Sequence, residues 1–177
     1  MDRLINLIKA DSFRIKLLEI VRSLDLPDCF VAAGFVRNLV WDYLHNYRST
    51  DLNDVDVIFY DKSNLSEIIC KKASRILCSE APEVNWQIKN QALMHKRNND
   101  RAYKNSTDAM TFWPEKETAI GVQLNKNGSI IVSAPFGVDS LFQGKITHNP
   151  KRDKTIFLGR IEKKQWLKNW PKLQVML

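Results

Sequence analysis

The sequence predicts an α+β fold, in which helices and strands alternate first and a β-hairpin follows. Helical periodicity in residues 2–24 precedes a short apolar run and a second helical pattern. Residues 126–128, Lys-Asn-Gly, separate two short apolar stretches, as is typical of a hairpin turn. A chain of 177 residues is long enough for one well-buried domain and short for two. We therefore expect a single domain over residues 1–177.

The composition is that of a globular protein, with 44% hydrophobic and 27% charged residues. No apolar run is long enough to span a membrane, and acidic residues interrupt the N-terminal apolar pattern, unlike the core of a signal peptide. The three scattered cysteines match neither a metal-ligand spacing nor an even set of disulfides, which favours a reducing compartment. We therefore expect a cytoplasmic protein that has no membrane partner.

The N-terminal region predicts two helices followed by a strand. Residues 2–24 carry apolar side chains at helical spacing, and Asp11 or Ser12 can cap the start of the second helix. Residues 26–28, Leu-Pro-Asp, break this pattern, and the continuous apolar run over 29–33 is typical of a buried strand.

Gly34 marks a turn from this strand into the next predicted helix. The free N–H groups and the positive dipole end at a helix start favour a bound anion. Arg37 lies one turn into the helix, with Asn38 beside it, and could reach back towards a phosphate. The alternative for Arg37 is a surface ion pair with an acid such as Asp42. The pattern predicts a phosphate-binding site formed by Gly34, Arg37 and Asn38.

The second predicted strand begins with two aspartates, Asp54 and Asp56. Side chains at i and i+2 of a strand point to the same face, so the two carboxylates converge. Both could be ordinary surface residues, but Asp is depleted in strands, and a pair at one strand entrance indicates a function. Paired carboxylates suit Mg²⁺ that carries nucleotide phosphates, with Mn²⁺ as a second candidate. A metal–nucleotide site is therefore predicted.

The segments AAGFVRN and DVDVIFYD, joined by a polar loop, resemble the signature of the DNA polymerase β-like nucleotidyltransferase superfamily. GFVRN is similar to the Gly-x-Val-Arg-Asp motif of tRNA-terminus-adding enzymes. WQIKNQALMH, TFWPE, SAPFGVDSLF and KKQWLKNWP resemble a small family of bacterial nucleotidyltransferase-like proteins. The resemblance implies a bacterial protein with a mixed-sheet nucleotidyltransferase core and flanking helices over residues 1–97. Residues 98–177 would add the hairpin and a basic C-terminal helix.

The third predicted strand, residues 84–89, follows a helix predicted over 64–79 with Asn64 as its cap. In the superfamily this strand usually supplies a third carboxylate, but here Gln87 and Lys89 stand where an acid is expected. Lys89 could neutralise phosphate charge instead. Acids elsewhere in the chain that could complete the site are Glu83, Glu115 and Asp139.

The resemblance in WQIKNQALMH also brings Asn90, Gln91 and His95 into the candidate pocket. The two amides could read a base edge, and His95 or Glu115 could serve as a base or a third metal ligand. The alternative for each is a structural role, in which it satisfies buried hydrogen-bonding groups.

The C-terminal region predicts a hairpin from strands over 118–124 and 129–134, and then a helix over about 153–168. The whole net charge of +7 lies beyond residue 144, where the sequence contains nine basic and two acidic residues. With Trp166 and Trp170 interleaved, residues 145–172 could follow an RNA backbone and stack bases. The alternative is a helix with a solvated basic face, whose tryptophans pack on the core.

The leading functional prediction is a Mg²⁺-dependent enzyme that moves a nucleoside monophosphate from a nucleoside triphosphate to an acceptor. The acceptor could be a small molecule, a protein or RNA. A Mg-nucleotide-binding or regulatory module without catalysis is the second prediction, motivated by the absent third acid. An RNA-binding protein that works through its basic tail is the third. The predicted catalytic residues are Asp54, Asp56, Glu115 and His95, and the predicted nucleotide-binding residues are Gly34, Arg37, Asn38, Lys89, Asn90 and Gln91.

Overall fold

The computed structural model describes all 177 residues, which form nine helices and seven strands. None of the helices combines the length and apolar character needed to cross a bilayer. The elements in chain order are α1 (Asp2–Ala10), α2 (Ser12–Ser23), β1 (Phe30–Ala32), α3 (Gly34–His45), β2 (Val55–Phe59), α4 (Glu67–Glu80), β3 (Trp86–Asn90), α5 (Gln91–Asn98), α6 (Ser106–Met110), β4 (Gly121–Leu124), β5 (Ile130–Ser133), α7 (Asp139–Phe142), β6 (Lys145–Thr147), α8 (Lys154–Lys164), α9 (Trp166–Asn169) and β7 (Gln174–Met176).

Five strands form a mixed central sheet in the order β3-β2-β1-β4-β5. Strand β1 is antiparallel to both of its neighbours, β2 and β4, whereas β2 and β3 are parallel. The hairpin β4–β5 therefore extends the central sheet, and β6 and β7 pair separately in parallel. The predicted α+β fold, a mixed sheet with flanking helices, is confirmed.

The two faces of the central sheet are packed unequally, and this places the aspartates. Val55 and Val57 of β2 point into a core of 29 buried residues that also takes in α1, α2 and α3. Ile58 points to the opposite face, into a cluster of five buried residues. Because strand side chains alternate between faces, Asp56 shares the thinly covered face with Ile58. That face leaves room for a cleft beside Asp56.

Two predicted helices differ from the observed ones at their ends. Helix α4 begins at Glu67 with Ser66 as its cap, whereas the side chain of Asn64 accepts a hydrogen bond from the Ser66 N–H in the preceding turn. The single helix predicted over 153–168 is wrong, because Gln165 adopts a left-handed conformation (φ 51°) that separates α8 from α9. The break turns the following tryptophans towards α3.

The turn between β1 and α3 is strained at Ala33. Its backbone has φ 56° and ψ −121°, in a region that L-residues rarely occupy, whereas Gly34 has no positive φ. Such strain costs about 1–3 kcal/mol of stability. Replacing Ala33 by glycine would remove this cost, but the greater conformational freedom of glycine in the unfolded chain would take back about 0.4–1 kcal/mol. We expect Ala33→Gly to raise the free energy of unfolding by about 1 kcal/mol, measured by urea denaturation.

Gly34→Ala is the matched control for this prediction. A Cβ at Gly34 would meet the side chains of Asn38 and Arg37 at 3.6–3.7 Å, which is ordinary van der Waals contact. We expect no loss of stability from that change. A less stable Ala33→Gly protein would show that the turn carries no strain to relieve.

Candidate functional site

A polar cleft of about 490 Å³ opens where the start of α3 meets β2, β3 and the C-terminal helices. Its position follows from the fold, since the turn at Ala33 and the start of β2 lie on adjacent antiparallel strands, with Ala32 opposite Asp56. The structure brings six of the sequence-predicted residues together in this cleft, which we call the first cleft. They are Gly34, Arg37, Asn38, Asp54, Asp56 and Lys89.

The carboxylates of Asp54 and Asp56 have no hydrogen-bond donors. The nearest cationic groups are Lys164 Nζ, 3.7 Å from Asp54 Oδ2, and Lys89 Nζ, 4.0 Å from Asp56 Oδ1. These separations exceed hydrogen-bond distance. In contrast, the buried acid Glu117 accepts two hydrogen bonds at 2.6 and 2.7 Å. The lone pairs of Asp54 and Asp56 are therefore available to a ligand.

Burial raises the pKa of Asp56, and the nearby charge of Asp54 raises it further, while Lys89 and Lys164 lower it. A raised pKa means that the folded protein holds the charged carboxylate less favourably than water does. A cation bound between the two carboxylates would compensate for this charge. The immediate surroundings of Asp56 therefore favour a bound cation.

The donor set fits one Mg²⁺ ion. Magnesium takes oxygen ligands and is usually held by one or two carboxylates, with substrate phosphates and water completing its coordination. Asp54 and Asp56 provide such a pair. No group of three or more His, Cys, Asp or Glu side chains lies close enough to hold a metal, so these two carboxylates have no third side-chain ligand of these types beside them.

Arg37 is a buried cation that has no carboxylate partner. Its guanidinium donates hydrogen bonds to Thr118 Oγ1 at 2.7 Å and to Asn38 Oδ1 at 3.0 Å, and its Nε–H has no acceptor. The guanidinium carbon lies 4.5 Å from the ring centroid of Trp41 and 4.4 Å from that of Trp166. Burial lowers its pKa to about 10, so it remains charged at neutral pH. A buried cation that lines a cleft and forms no ion pair indicates a site for an anion.

The alternative interpretation of Arg37, an ion pair with Asp42, is wrong. Asp42 is 2% exposed, and its carboxylate accepts hydrogen bonds from the N–H and hydroxyl of Thr50 and from the indole N–H of Trp170. Asp42 thereby joins α3 to the loop before β2 and to the C-terminal segment, and it leaves Arg37 free for a ligand.

The structure does not bring Glu115 or His95 into the first cleft. Glu115 is fully buried, and both of its oxygens accept hydrogen bonds from the guanidinium of Arg160, at 2.6 and 3.3 Å. Glu115 therefore orients Arg160, which does line the cleft. The ring of His95 packs edge-on against Tyr103, with centroids 6.0 Å apart, and its Nδ1 has no partner.

Asn90 and Gln91 also lie outside the first cleft. The side chain of Asn90 caps α5 by accepting from Ala92 N–H, and it exchanges hydrogen bonds with the backbone of Asp61. Asn90 thus has the structural role that the sequence left open. Gln91 is buried at the start of α5 and lines a neighbouring cleft instead.

Sequence reasoning missed several residues of the first cleft. Arg160 and Lys164, which it placed only in a basic tail, lie one turn apart on α8 and both face the site. Their i, i+4 spacing on a predicted helix is the signal that could have paired them. Thr118 has no signal at all in the sequence, because its role depends on an arginine 81 residues away.

The tryptophans of the C-terminal segment belong to the core, as the second interpretation of this segment expected. Trp166 and Trp170 are 2% and 4% exposed, and both pack edge-to-face on Trp41. Ion pairs also engage part of the basic charge, including Arg152 with Asp100. Neither indole face is free to stack on a base in the way that the RNA interpretation requires.

A family model described as nucleotidyltransferase matches residues 19–175 of the chain. No curated protein matches the chain. An NMR structure reported to reveal a CCA-adding enzyme head domain is similar, with 28% identity and a TM-score of 0.86 over 99% of this chain and 95% of that one. A CCA-adding enzyme solved with CTP is 14% identical, with a TM-score of 0.62 over 99% of this chain. That match spans 43% of the enzyme, and at this identity it shows the fold alone.

Proposed function

Because the chain belongs to this nucleotidyltransferase family, we propose that it transfers a nucleoside monophosphate from a nucleoside triphosphate to an acceptor. The family match also confirms the predicted assignment to a nucleotidyltransferase superfamily. One observation carries the proposal. The guanidinium of Arg37 is buried and forms no ion pair, and the carboxylates of Asp54 and Asp56 accept no hydrogen bond. All three groups line the same cleft. Such an arrangement is complementary to a metal–triphosphate complex, which presents both an anion and a cation.

The proposed roles follow from where each group lies. The start of α3 at Gly34, with Arg37 and Asn38, holds the triphosphate, and Arg37 stabilises the charge that develops during transfer. Asp54 and Asp56 would hold a divalent cation, which would supply further charge neutralisation. A nucleophilic atom of the acceptor forms a bond to the α-phosphorus. The bond between the α-phosphorus and the oxygen that bridges it to the β-phosphorus breaks, and pyrophosphate leaves.

Thermal unfolding with each nucleoside triphosphate, with and without Mg²⁺, tests the proposal. For the native protein we expect a Mg²⁺-dependent rise in the midpoint of roughly 5–10 °C at about a hundredfold excess over Kd. We expect Asp54→Asn and Asp56→Asn each to lose most of this rise, because an amide is a poor ligand for Mg²⁺. An undiminished rise in both variants would contradict the assignment of these aspartates.

The stability of Asp56→Asn without ligand is the internal control. A raised pKa means that the folded state binds the proton more tightly than the unfolded chain, so ionised Asp56 costs stability at neutral pH and this cost disappears as pH falls through the folded pKa. A neutral asparagine removes the cost. We therefore expect the unliganded variant to unfold at or above the native midpoint, so that loss of the nucleotide effect cannot reflect a damaged fold.

A Mg-nucleotide-binding module without catalysis is the second candidate, and the lack of a third acidic ligand favours it. The two candidates differ in one measurement. Pyrophosphate is released from a bound triphosphate by an active transferase once an acceptor is present, and a module that only binds nucleotide releases none.

A further inference from the structure

A second cleft of about 320 Å³ adjoins the first and shares five of its lining residues. Its remaining walls come mainly from α5 and from Trp113 and Pro114. A molecule in the second cleft would therefore lie directly beside a molecule in the first. The shared residues are Ala33, Asp56, Lys89, Thr118 and Arg160.

The second cleft is rich in positive charge. Lys89, Arg97 and Arg160 line it, and Asp56 is its one carboxylate. Lys89 lies near Asp56 and Arg160 is bound to Glu115, whereas Arg97 makes no ion pair and no hydrogen bond and is exposed at the end of α5. A free guanidinium presents a planar fork of donors that matches the oxygens of a phosphate or carboxylate.

One side of the second cleft is apolar and contains an aromatic ring. Trp113 is half-buried and packs against the small core cluster, and Pro114, Met94 and Ile58 extend the apolar surface. A partly exposed indole offers a flat surface for a planar group. The volume of the cleft is at the lower end of the range for small-molecule sites, which is about 300–1,000 Å³.

We propose that the second cleft binds the acceptor, and that the acceptor is a small molecule with a phosphate monoester and a flat apolar group. Arg97 binds the phosphate, and the flat group lies along Trp113. This inference rests on the proposed transfer, since Asp56, Lys89 and Arg160 lie where the two substrates meet. The same chemistry occurs at a phosphorylated RNA terminus, but an RNA strand also needs aromatic faces on which its bases stack, and Trp166 and Trp170 of the basic C-terminal segment are buried.

Phenyl phosphate is the probe for this proposal, because it combines a phosphate monoester with one flat ring. Its affinity is measured by isothermal titration calorimetry, first alone and then with the first cleft filled by Mg²⁺ and an α,β-methylene nucleoside triphosphate. We expect Arg97→Gln to weaken binding roughly tenfold or more, since a charge-assisted hydrogen bond is lost. We expect Trp113→Leu to weaken it several-fold, because the phenyl ring of the probe loses its stacking partner.

Lys96→Gln is the matched control, since it removes the same charge from the neighbouring exposed residue of α5, outside the cleft. We expect it to bind phenyl phosphate as the native protein does. Equal affinities in Arg97→Gln and Lys96→Gln would overturn the proposal. A 5′-phosphorylated oligonucleotide that binds in an Arg97-dependent way, while phenyl phosphate fails to bind, would overturn the small-molecule assignment and favour an RNA end.

The two proposals fail separately, because Asp54 lines only the first cleft and Arg97 only the second. We expect Asp54→Asn to lose the Mg-nucleotide effect and to keep its affinity for phenyl phosphate. We expect Arg97→Gln to show the reverse. Arg97-dependent probe binding without any nucleotide effect in the native protein would support the second cleft and count against the proposed transfer.

Discussion

Replacing Asp42 by alanine is expected to lower the free energy of unfolding by about 3–4 kcal/mol, because three donors lose their acceptor. The indole N–H of Trp170 donates to this carboxylate at 2.8 Å, and the N–H and hydroxyl of Thr50 donate at 2.9 and 3.0 Å. Trp170 is 4% exposed, so its N–H cannot turn to water without opening the C-terminal segment. Urea denaturation followed by tryptophan fluorescence measures the change.

Asp42→Asn and Trp170→Phe serve as controls for this prediction. Asparagine keeps the volume and one acceptor oxygen, so we expect a smaller loss than with alanine. Phenylalanine keeps an apolar ring and removes the indole N–H. If the Asp42–Trp170 hydrogen bond matters, the effects of Asp42→Ala and Trp170→Phe are not additive in the double variant. Additive effects, or a loss below about 1 kcal/mol for Asp42→Ala, would contradict the role of Asp42.

Arg37→Met is expected to weaken Mg-nucleotide binding by about 100-fold, since a charge-assisted contact in a buried site is lost. The guanidinium lies between Trp41 and Trp166 and is held by Thr118 and Asn38, so its position is set before a ligand arrives. Such preorganisation lowers the entropy cost of binding. Calorimetric titration of each variant with Mg-nucleotide measures the affinity.

The stability of the unliganded Arg37→Met protein separates a binding role from a structural one. Burial lowers the pKa of Arg37, so the folded state holds its charge less favourably than the unfolded chain does. Methionine removes that cost and keeps most of the buried stem, while it loses two hydrogen bonds and the contacts with the indole rings. We therefore expect a much smaller effect on stability than on nucleotide affinity.

Arg37→Lys is the conservative variant. Lysine keeps the charge but lacks the planar fork that bonds Thr118 and Asn38 and stacks between the tryptophans. We expect an affinity between those of the native protein and Arg37→Met. Binding by Arg37→Met within threefold of native would show that the buried guanidinium serves the fold and not the ligand.

Both predictions concern α3, whose two faces join distant parts of the chain. Asp42 and Trp170 are 128 residues apart in sequence, and the Trp166 ring covers Arg37 from the same C-terminal segment. The first cleft is therefore closed on one side by the last elements of the chain. A change that loosens this segment is expected to affect nucleotide binding and stability together.

Features that depend on near neighbours in the chain were predictable from the sequence. Asp54 and Asp56 line one cleft, as the two-residue period of an extended chain predicts, although Asp54 immediately precedes β2. The helix start at Gly34 follows from the turn after a buried run. Asp11 caps α2 as its position before an apolar-periodic segment predicted. Each of these depends on the backbone geometry of a few consecutive residues.

Only the tertiary structure decided which other residues complete the clefts. Glu115 and Arg160 are 45 residues apart, and their ion pair depends on how α8 packs over the segment before β4. The sequence around Glu115 does not show whether this residue is a buried partner of an arginine or a metal ligand. Nor does the sequence show that Arg97 lines a cleft whereas its neighbour Lys96 does not. Local propensity acts over a few residues, whereas burial, desolvation and ion pairing are set by elements that meet only when the chain is folded.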